Sequence, residues 1–367
     1  MSLAFTNARI FTGTETIEGK VLIVRGNKID SITEPFSIPT ECEIIDCGGN
    51  HLSAGFIDLQ IAGGCGYLFS SDPTPEALAA ITRAIVRTGT TGFLIAIPTN
   101  SMEVYRQVIK VVAENPHPAL LGLHIEGPFI NPLRRGAHIM EYIRPPVKED
   151  VEAIVSQAAG VIGMMTLAPE LCSPEVIELL NNHGIVVAAG HSNATFNEAV
   201  EGFRNGIRTT THLYNAMSPL HHRNPGLAAA VFQTPGVFAS IIADGIHVDY
   251  NMVSIAKKLL GDRLFLISDA VEEIRKEAYM HIRREDRFTL PDGTLSGSAL
   301  TMMKAVENCV KHVSIPLEEA LRMATLYPAR VMRIAGRGSI EPGYRADLVV
   351  FDDDFKVQKV CMNGALI

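Results

Sequence analysis

Three side chains in this sequence have the types and the placement to bind one catalytic divalent metal ion. Glu126, His191 and His212 each follow or end a run of β-prone residues, in the segments GLHIEGPF, VVAAGHSNAT and TTTHLYNAM. A catalytic zinc site uses three nitrogen or oxygen ligands and keeps a fourth position open, and one glutamate with two histidines is such a set. Because the three residues are distant in sequence, they can meet only if the fold brings several strand ends together.

A fourth side chain could supply acid–base chemistry beside this metal. Asp269 ends another apolar run, LFLISDA. A carboxylate that faces the metal can take a proton from an activated water and later return it to a leaving amine. Taken alone, Asp269 reads equally as a helix N-cap or an ion-pair partner, and a single histidine after a strand is more often a hydrogen-bonded loop residue than a ligand.

The elements that must position these residues alternate between strand and helix. Segments such as 75–89, 173–184, 195–206 and 251–262 carry apolar residues three or four apart, which predicts helices. Eight short apolar runs lie around 52–57, 93–98, 119–125, 161–168, 185–189, 208–213, 237–243 and 264–268. Eight alternations predict a TIM-like (β/α)₈ barrel, whose doubly buried parallel strands read as continuous apolar runs. The helices predicted at 299–313 and 317–336 would close it.

In such a barrel the chemistry lies at the carboxyl ends of the strands, so polar residues that end apolar runs are the informative ones. They are Asp58 and Gln60 after run one, Glu126 after run three, Glu170 after run four, His191 after run five, His212 and Asn215 after run six, Asp244 and His247 after run seven, and Asp269 after run eight.

The two ends of the chain have a different pattern. Residues 1–50 and 338–367 alternate in the manner of short antiparallel strands, and each piece is too small to bury a core by itself. We therefore expect the fold class α/β: a barrel over residues 51–337 and one small β-sandwich domain built from 1–50 and 338–367.

Composition excludes several classes of function. The 367 residues are 47% hydrophobic with a net charge of −8, which gives no broad basic surface for a nucleic acid. No segment approaches the roughly 18 apolar residues of a membrane span, and no leader pattern precedes the first strand, so we expect a cytoplasmic protein with no membrane partner. The six cysteines show no C-x-x-C spacing, which favours reduced thiols.

Longer motifs resemble those of a known family. GLHIEGPFINPLRRGAH, TLAPE, AGHSNAT, THLYNAMSPLHHRNPGLA, IADGIHVD, SDA, LSGSALTM and MATLYPARV are similar to the N-acetylglucosamine-6-phosphate deacetylases of the amidohydrolase superfamily. The similarity runs nearly end to end, and motifs of this length in this order are highly specific. The resemblance implies the same barrel, a phosphorylated amino sugar as substrate, and a homodimer or homotetramer.

The resemblance also implies roles for individual residues. Glu126, His191 and His212 would bind the metal, and Asp269 would be the general base and acid for a water activated by that metal. His138 would contact the acetamide oxygen. Asn215 and the backbone of Ala216 would hold the sugar, while His247 and Arg223 would bind a hydroxyl and the phosphate, Arg223 reaching a neighbouring subunit. The implied substrate site is completed by Ala137, Leu295, Ser296 and Gly297.

Two departures from superfamily patterns bear on the metal. Many members carry H-x-H at the end of strand one, where this chain has Asp58 and Gln60, and an amide oxygen is a poor transition-metal ligand. We therefore predict one divalent metal per subunit, zinc in the first place, with iron, manganese or cobalt as alternatives. The segment TLAPE also lacks the lysine that bridges two metals in enzymes acting on cyclic amides.

Several alternatives stay open at this point. The sugar could be the galactosamine epimer, because one hydroxyl contact decides between the two. The chain could instead be a catalytically silent scaffold with the same fold. The basic segment His221, His222, Arg223 reads either as a phosphate site or as a solvated turn. The segment 271–286 could cover the pocket or present its charges to solvent.

Overall fold

The computed structural model describes residues 2–158, 160–274 and 279–367. Its central element is an eight-stranded parallel sheet in sequential order, with neighbouring strands hydrogen-bonded. We label the barrel strands β1 (Phe56–Ile61), β2 (Thr90–Pro98), β3 (Leu120–Glu126), β4 (Ile162–Leu167), β5 (Val186–Ala189), β6 (Thr209–Thr210), β7 (Phe238–Ile241) and β8 (Leu264–Leu266). These strands are almost entirely buried, as expected where a parallel sheet is covered on both faces. The predicted barrel is confirmed.

The barrel closes at the rim where strands β8 and β1 meet. The backbone N–H of Asp269 donates to the carbonyl of Gln60 at 2.9 Å, and the N–H of Ala62 donates to the carbonyl of Ala270 at 2.8 Å. Asp269 is therefore held by the first barrel strand as well as by its own.

Helices surround this sheet. They are α1 (Pro75–Arg87), α2 (Met102–Glu114), α3 (Lys148–Val155), α4 (Pro174–Asn182), α5 (Phe196–Arg204), α6 (Gly226–Gln233), α7 (Tyr250–Leu260), α8 (Met302–Val313), α9 (Leu317–Ala324) and α10 (Leu326–Val331). Helix α5 begins with a capping box, in which Thr195 and Glu198 satisfy each other's backbone N–H groups. The longest helices have 13 residues, whereas a bilayer span needs about 20. Within the described part of the chain, no helix can cross a membrane.

Two details of the predicted elements are wrong. The first apolar run contains two strands: His51–Ala54 belongs to a terminal sheet, and β1 begins at Phe56, so Asp58 and Gln60 lie within a barrel strand. The apolar pattern does not show this break because both strands are buried. The segment 317–336 forms two helices because Pro328 lacks an N–H and its ring would clash with the carbonyl of Ala324.

The chain ends form two further sheets. A four-stranded sheet contains Ser2–Thr6, Val21–Arg25, Lys28–Thr33 and Glu43–Asp46. A six-stranded sheet contains Arg9–Phe11, Thr16–Ile17, His51–Ala54, Leu348–Phe351, Val357–Met362 and Ala365–Leu366. Strand Leu348–Phe351 pairs directly with His51–Ala54, and apolar residues from both ends share one buried cluster. None of the six cysteines, all of which are described, forms a disulfide.

Shorter pieces lie over the barrel mouth. Gly63–Gly64 pairs with Tyr67–Leu68, and Ile282–Arg283, Arg287–Thr289 and Leu295–Ser298 form a three-stranded antiparallel sheet. Strand Leu295–Ser298 joins the barrel, because the N–H of Ser298 donates to the carbonyl of Asp269 at 2.8 Å.

A buried ion pair fastens the carboxyl-terminal strands to the barrel. The Arg337 guanidinium contacts Asp347 at 2.7 Å and donates to the carbonyl of Thr91 at 2.8 Å, and both charged side chains are nearly inaccessible. Removing one member of a buried pair costs about 3–5 kcal/mol when the other charge is left without compensation. Asp347 also contacts Arg345 at 3.0 Å, so loss of Arg337 should cost no more than the lower end of that range.

We therefore expect Arg337→Met to lower the free energy of unfolding in urea by about 3 kcal/mol. Lys356→Met removes an exposed partner of Asp354 and should change it by less than about 0.5 kcal/mol. Equal effects of the two substitutions would contradict the structural role given to Arg337.

Candidate metal centre

The three predicted ligands meet in the barrel mouth. Oε1 of Glu126 lies 3.0 Å from Nε2 of His212 and 3.3 Å from Nε2 of His191, and the two ring nitrogens are 3.0 Å apart. All three side chains are buried. One ligand atom from each of the three side chains lies within 4.8 Å of the other two. In the part of the chain that the structure describes, this is the group of acidic, histidine and cysteine side chains that could hold a metal ion.

The backbone aims these side chains by leaving the strand conformation at each rim. His191 has φ of +46°, His212 of +35° and Asp269 of +51°, in the left-handed region that residues with a Cβ rarely adopt. Such strain concentrates where the surrounding structure fixes a functional geometry. Here each of these residues follows the end of a barrel strand by two or three positions, where the chain turns across the mouth.

Two acidic residues at the rim support this geometry from outside the centre. Glu170 accepts hydrogen bonds from the hydroxyl of Ser192 at 2.7 Å and the N–H of Asn193 at 2.6 Å, so it holds the turn that carries His191. Asp244 accepts from Nδ1–H of His247 at 2.7 Å, a bond that fixes the orientation of this ring. Both carboxylates therefore position histidines.

The chemistry of the donor set fits a cation. Nδ1–H of His191 donates to the carbonyl of Arg134 at 2.9 Å, so in the neutral ring Nε2 presents a lone pair. That lone pair faces a carboxylate oxygen and another imidazole nitrogen, an arrangement that a cation between them stabilises. Around tetrahedral zinc, bonds of about 2.1 Å place ligand atoms roughly 3.4 Å from one another, close to the observed spacing.

Gln60 turns its donor group toward the carboxylates of this centre. Its Nε2 donates to Oε1 of Glu126 and to Oδ1 of Asp269, each at 2.9 Å. An amide nitrogen that donates in this way has no lone pair for a metal. The position where superfamily relatives carry an imidazole is therefore occupied by a neutral donor that bridges two acidic side chains.

The carboxylates of Glu126 and Asp269 have opposite protonation tendencies. Burial raises the pKa of Glu126, but hydrogen bonds from His191 and His212 outweigh it and hold that pKa well below its usual value. Burial and the charge of Glu126 raise the pKa of Asp269 to about 7. Burial also disfavours a charged His212, yet Glu126 raises the pKa of this ring above its usual value. Asp269 thus has the proton affinity of a group that can both take and release a proton near neutrality.

His138 has its ring proton directed at the centre. The backbone N–H of Thr99 donates to Nδ1 of His138 at 3.1 Å, and the Thr99 hydroxyl lies 2.7 Å from the same nitrogen. Because a backbone N–H can only donate, Nδ1 accepts and the neutral ring carries its proton on Nε2, 3.7 Å from Oε2 of Glu126. Burial and the nearby His191 lower the pKa of His138 well below its usual value, so the ring stays neutral.

The cavity around these groups has a volume of about 300 Å³. The structure brings nearly all the predicted substrate residues to its wall: Ala137, His138, Asn215, Ala216, His247, Leu295, Ser296 and Gly297. Arg223 is exposed on the segment after β6 and does not line this cavity within one chain. Its role in phosphate binding stays a prediction.

Some residues in or beside the cavity are absent from the sequence prediction. Thr99 contacts His138 from behind the cavity wall. It directly follows β2 and could have been found as the polar residue that ends the second apolar run. Tyr279 and His281 line the cavity from the segment 271–286, whereas residues 283–286 are exposed. One part of this segment therefore contacts the cavity and another faces solvent. Its residues 275–278 lie outside the described residues.

Comparison with known proteins identifies the family of this chain. Residues 51–367 match the model of the Amidohydrolase family, and residues 3–52 match that of the NagA composite domain. The N-acetylglucosamine-6-phosphate deacetylase of Haemophilus influenzae is 35% identical over 381 residues, covering 99% of each chain. The N-acetylgalactosamine-6-phosphate deacetylase of Shewanella is 34% identical over 86% of this chain and 83% of that protein.

A solved structure shows the same architecture. The crystal structure of N-acetylglucosamine-6-phosphate deacetylase from Pasteurella multocida superimposes with a TM-score of 0.96 at 36% identity, covering 100% of both chains. The match extends over the barrel and the sheets formed by the two ends. The chain belongs to the amidohydrolase family, in the group of the N-acetylglucosamine-6-phosphate deacetylases.

Proposed function

We propose that this protein hydrolyses the acetamide of N-acetylglucosamine 6-phosphate to glucosamine 6-phosphate and acetate. The observation that carries the proposal is the meeting of a group of three candidate metal ligands, the Asp269 carboxyl group and the imidazole of His138 in one cavity. Amide hydrolysis needs an activated water, a polarised carbonyl and an acid for the leaving nitrogen. The family membership restricts this chemistry to phosphorylated amino sugars.

Glu126, His191 and His212 would hold one divalent cation. Zinc suits this donor set, and iron, manganese and cobalt are alternatives because imidazole and carboxylate ligands bind all four. When bound, the cation supplies Lewis acidity that polarises a carbonyl oxygen and activates water for attack. Gln60 donates toward this centre, which supports a single cation per chain.

Asp269 and His138 act on opposite ends of the scissile amide. The Asp269 carboxylate accepts a proton from the attacking water and donates it to the amine nitrogen as the carbon–nitrogen bond breaks. The Nε2–H of His138 donates to the acetamide oxygen and stabilises the negative charge that develops there. Gln60 keeps Asp269 oriented, since its amide contacts that carboxylate directly.

The sugar would lie on the side of the barrel formed by β6 and β7. Asn215, the backbone of Ala216 and His247 line this side, and Leu295, Ser296 and Gly297 border the mouth together with Ala137. The phosphate would contact Arg223 of a second copy of the chain, since Arg223 is exposed and outside its own cavity. This arrangement requires a homo-oligomer, a dimer or a tetramer.

The galactosamine epimer is a second candidate substrate. The identity shared with the Shewanella enzyme nearly equals that shared with the Haemophilus influenzae enzyme. Acetate release from both phosphosugars, compared by kcat/KM, distinguishes the epimers.

The chain ends form a structural unit in this proposal. Residues 1–50 and 338–367 would form one small β-domain beside the barrel. Strand His51–Ala54, at the start of the range 51–337 predicted for the barrel, would belong to this β-domain, because it pairs with Leu348–Phe351. The apolar cluster shared by both ends supports the same division.

The first prediction concerns Asp269. Asp269→Asn should lower kcat for acetate release by about 10³-fold, because general acid–base catalysis typically contributes 10²- to 10⁴-fold. Metal content should stay at the wild-type value, because the three ligands remain. Asp262→Asn, on the exposed turn before β8, is the matched control. A scaffold protein would release no acetate even as wild type.

A second prediction concerns metal binding. The wild-type protein should bind one divalent cation per chain, and Glu126→Gln or His191→Ala should abolish stoichiometric binding. Imidazole and carboxylate ligands bind a cation only in their deprotonated forms, so protons compete with the cation for this site. Burial disfavours a charged His212, but Glu126 outweighs it and raises the pKa of this ring, which strengthens this competition. Affinity should therefore fall as pH decreases, by about tenfold per pH unit for each proton released.

Titration calorimetry in buffers of different ionisation enthalpy measures this proton release, and elemental analysis gives the stoichiometry. The exposed His183→Ala variant should bind as wild type does. Two cations per chain, or binding that does not change between pH 6 and pH 7.5, would contradict the proposed centre.

A third prediction concerns Arg223. Arg223→Ala should lower kcat/KM by roughly 30-fold, mainly through KM, since a charged hydrogen bond contributes about 2 kcal/mol. The exposed Arg204→Ala is the control. In a mixed oligomer, the Arg223→Ala chain still supplies Asp269 and the Asp269→Asn chain still supplies Arg223. A site formed between these two chains contains both intact residues, so mixing the two variants should restore activity. No recovery on mixing would place the phosphate contact within one chain.

A further inference from the structure

A buried tyrosine lies behind the imidazole that faces the acetamide. The hydroxyl of Tyr279 donates to the backbone carbonyl of Thr99 at 2.5 Å. The backbone N–H and hydroxyl of the same Thr99 contact Nδ1 of His138. The three side chains are 3%, 0% and 4% exposed for Tyr279, Thr99 and His138, so water does not compete for these bonds. They form a continuous chain of contacts from the segment after Asp269 to the ring of His138.

Thr99 has little freedom to move within this chain of contacts. A Cβ on Gly127 would lie 2.1 Å from Oγ1 of Thr99, so the hydroxyl already packs against the backbone that follows Glu126. The same hydroxyl lies 3.4 Å from the carbonyl of Glu126. A shift of Thr99 would therefore change the hydrogen bond that Nδ1 of His138 accepts. It would also displace the backbone next to Glu126, a candidate metal ligand.

The ring of Tyr279 fixes the position of its hydroxyl. It belongs to a small apolar cluster with Ala62, Leu68 and Ala96, against which Ile139, the residue after His138, also packs. Burial raises the pKa of Tyr279, so the phenol keeps its proton and remains a donor to Thr99. The cluster lies on the side of β1 and β2, opposite the proposed sugar side at β6 and β7.

We propose that Tyr279 is a positioning residue for amide hydrolysis: through Thr99 it fixes the orientation in which the Nε2–H of His138 meets the acetamide oxygen. This inference rests on the proposed function. It gives a role to part of the segment 271–286, which differs from the family pattern. Tyr279 itself does not donate to the reacting atoms, since its hydroxyl is used by Thr99.

The physical consequence is a separation of kcat from KM. A donor to a developing oxyanion contributes fully only when it is correctly placed, and small displacements cost up to about 100-fold in rate. The sugar and phosphate contacts lie elsewhere in the cavity, so ground-state binding does not depend on this orientation. Loss of the Tyr279 hydroxyl should therefore lower kcat and leave KM nearly unchanged.

The test is a double-mutant cycle in the metal-loaded enzyme. Tyr279→Phe should lower kcat by about tenfold with KM within about twofold of wild type, while metal content stays constant. In a His138→Ala background the same substitution should change kcat by less than about twofold, because no imidazole remains to be positioned. Tyr327→Phe removes another buried hydroxyl, which bonds Glu319 far from the site, and should leave kcat unchanged.

A second measurement does not depend on activity. In metal-free protein labelled with ¹⁵N-histidine, the His138 signals are identified by their loss in His138→Ala. They should shift in Tyr279→Phe and stay in place in Tyr327→Phe, and this comparison remains possible if a variant folds but is inactive.

The possible outcomes separate the two proposals. If the wild-type enzyme releases no acetate from either phosphosugar, the proposed function fails, whatever the variants do. If it is active but Tyr279→Phe retains wild-type kcat, or loses the same factor with and without His138, the positioning role is overturned. Unchanged His138 signals in Tyr279→Phe would overturn it as well.

Discussion

The proximity of three lone-pair atoms inside a buried cavity is the constraint on which this structure depends. A carboxylate oxygen and two imidazole nitrogens lie 3.0–3.3 Å apart, and such atoms repel one another unless a proton or a cation lies among them. The fold maintains this arrangement with rigid strand ends and left-handed backbone at His191 and His212. Because these candidate ligands lie at the ends of β3, β5 and β6, strands β3 to β6 must pair before the centre exists.

The same architecture would separate the two halves of the proposed substrate. Barrel strands in sequential order place β1 and β2 on a different side of the mouth from β6 and β7. The apolar cluster around Ala62 and Ala96 therefore lines a different part of the cavity from Asn215 and His247. An amide held at the candidate metal centre would extend its acyl group toward one wall and its sugar toward the other. Specificity for each half would thus be set by different strands.

Backbone contacts connect the groups that would act on the amide. Gln60 bridges Glu126 and Asp269 with its side chain and accepts from the N–H of Asp269 with its carbonyl, at the place where the barrel closes. Thr99 performs a similar task on the other side of Glu126, since it contacts His138 and accepts from Tyr279. Neither residue needs to react, because Gln60 would fix the orientation of Asp269 and Thr99 that of His138.

The sequence by itself determined the barrel and pointed to Glu126, His191, His212 and Asp269 as candidate site residues, because apolar runs of strand length and the side chains that end them are local features. It also indicated that the two ends share a β-structure. Only the tertiary structure decided that β1 begins at Phe56, that Gln60 bridges two carboxylates, and that Tyr279 reaches the loop beside His138. These facts depend on contacts between residues far apart in the sequence, such as Gln60 and Asp269, which are 209 positions apart, and no local pattern of residues encodes such contacts.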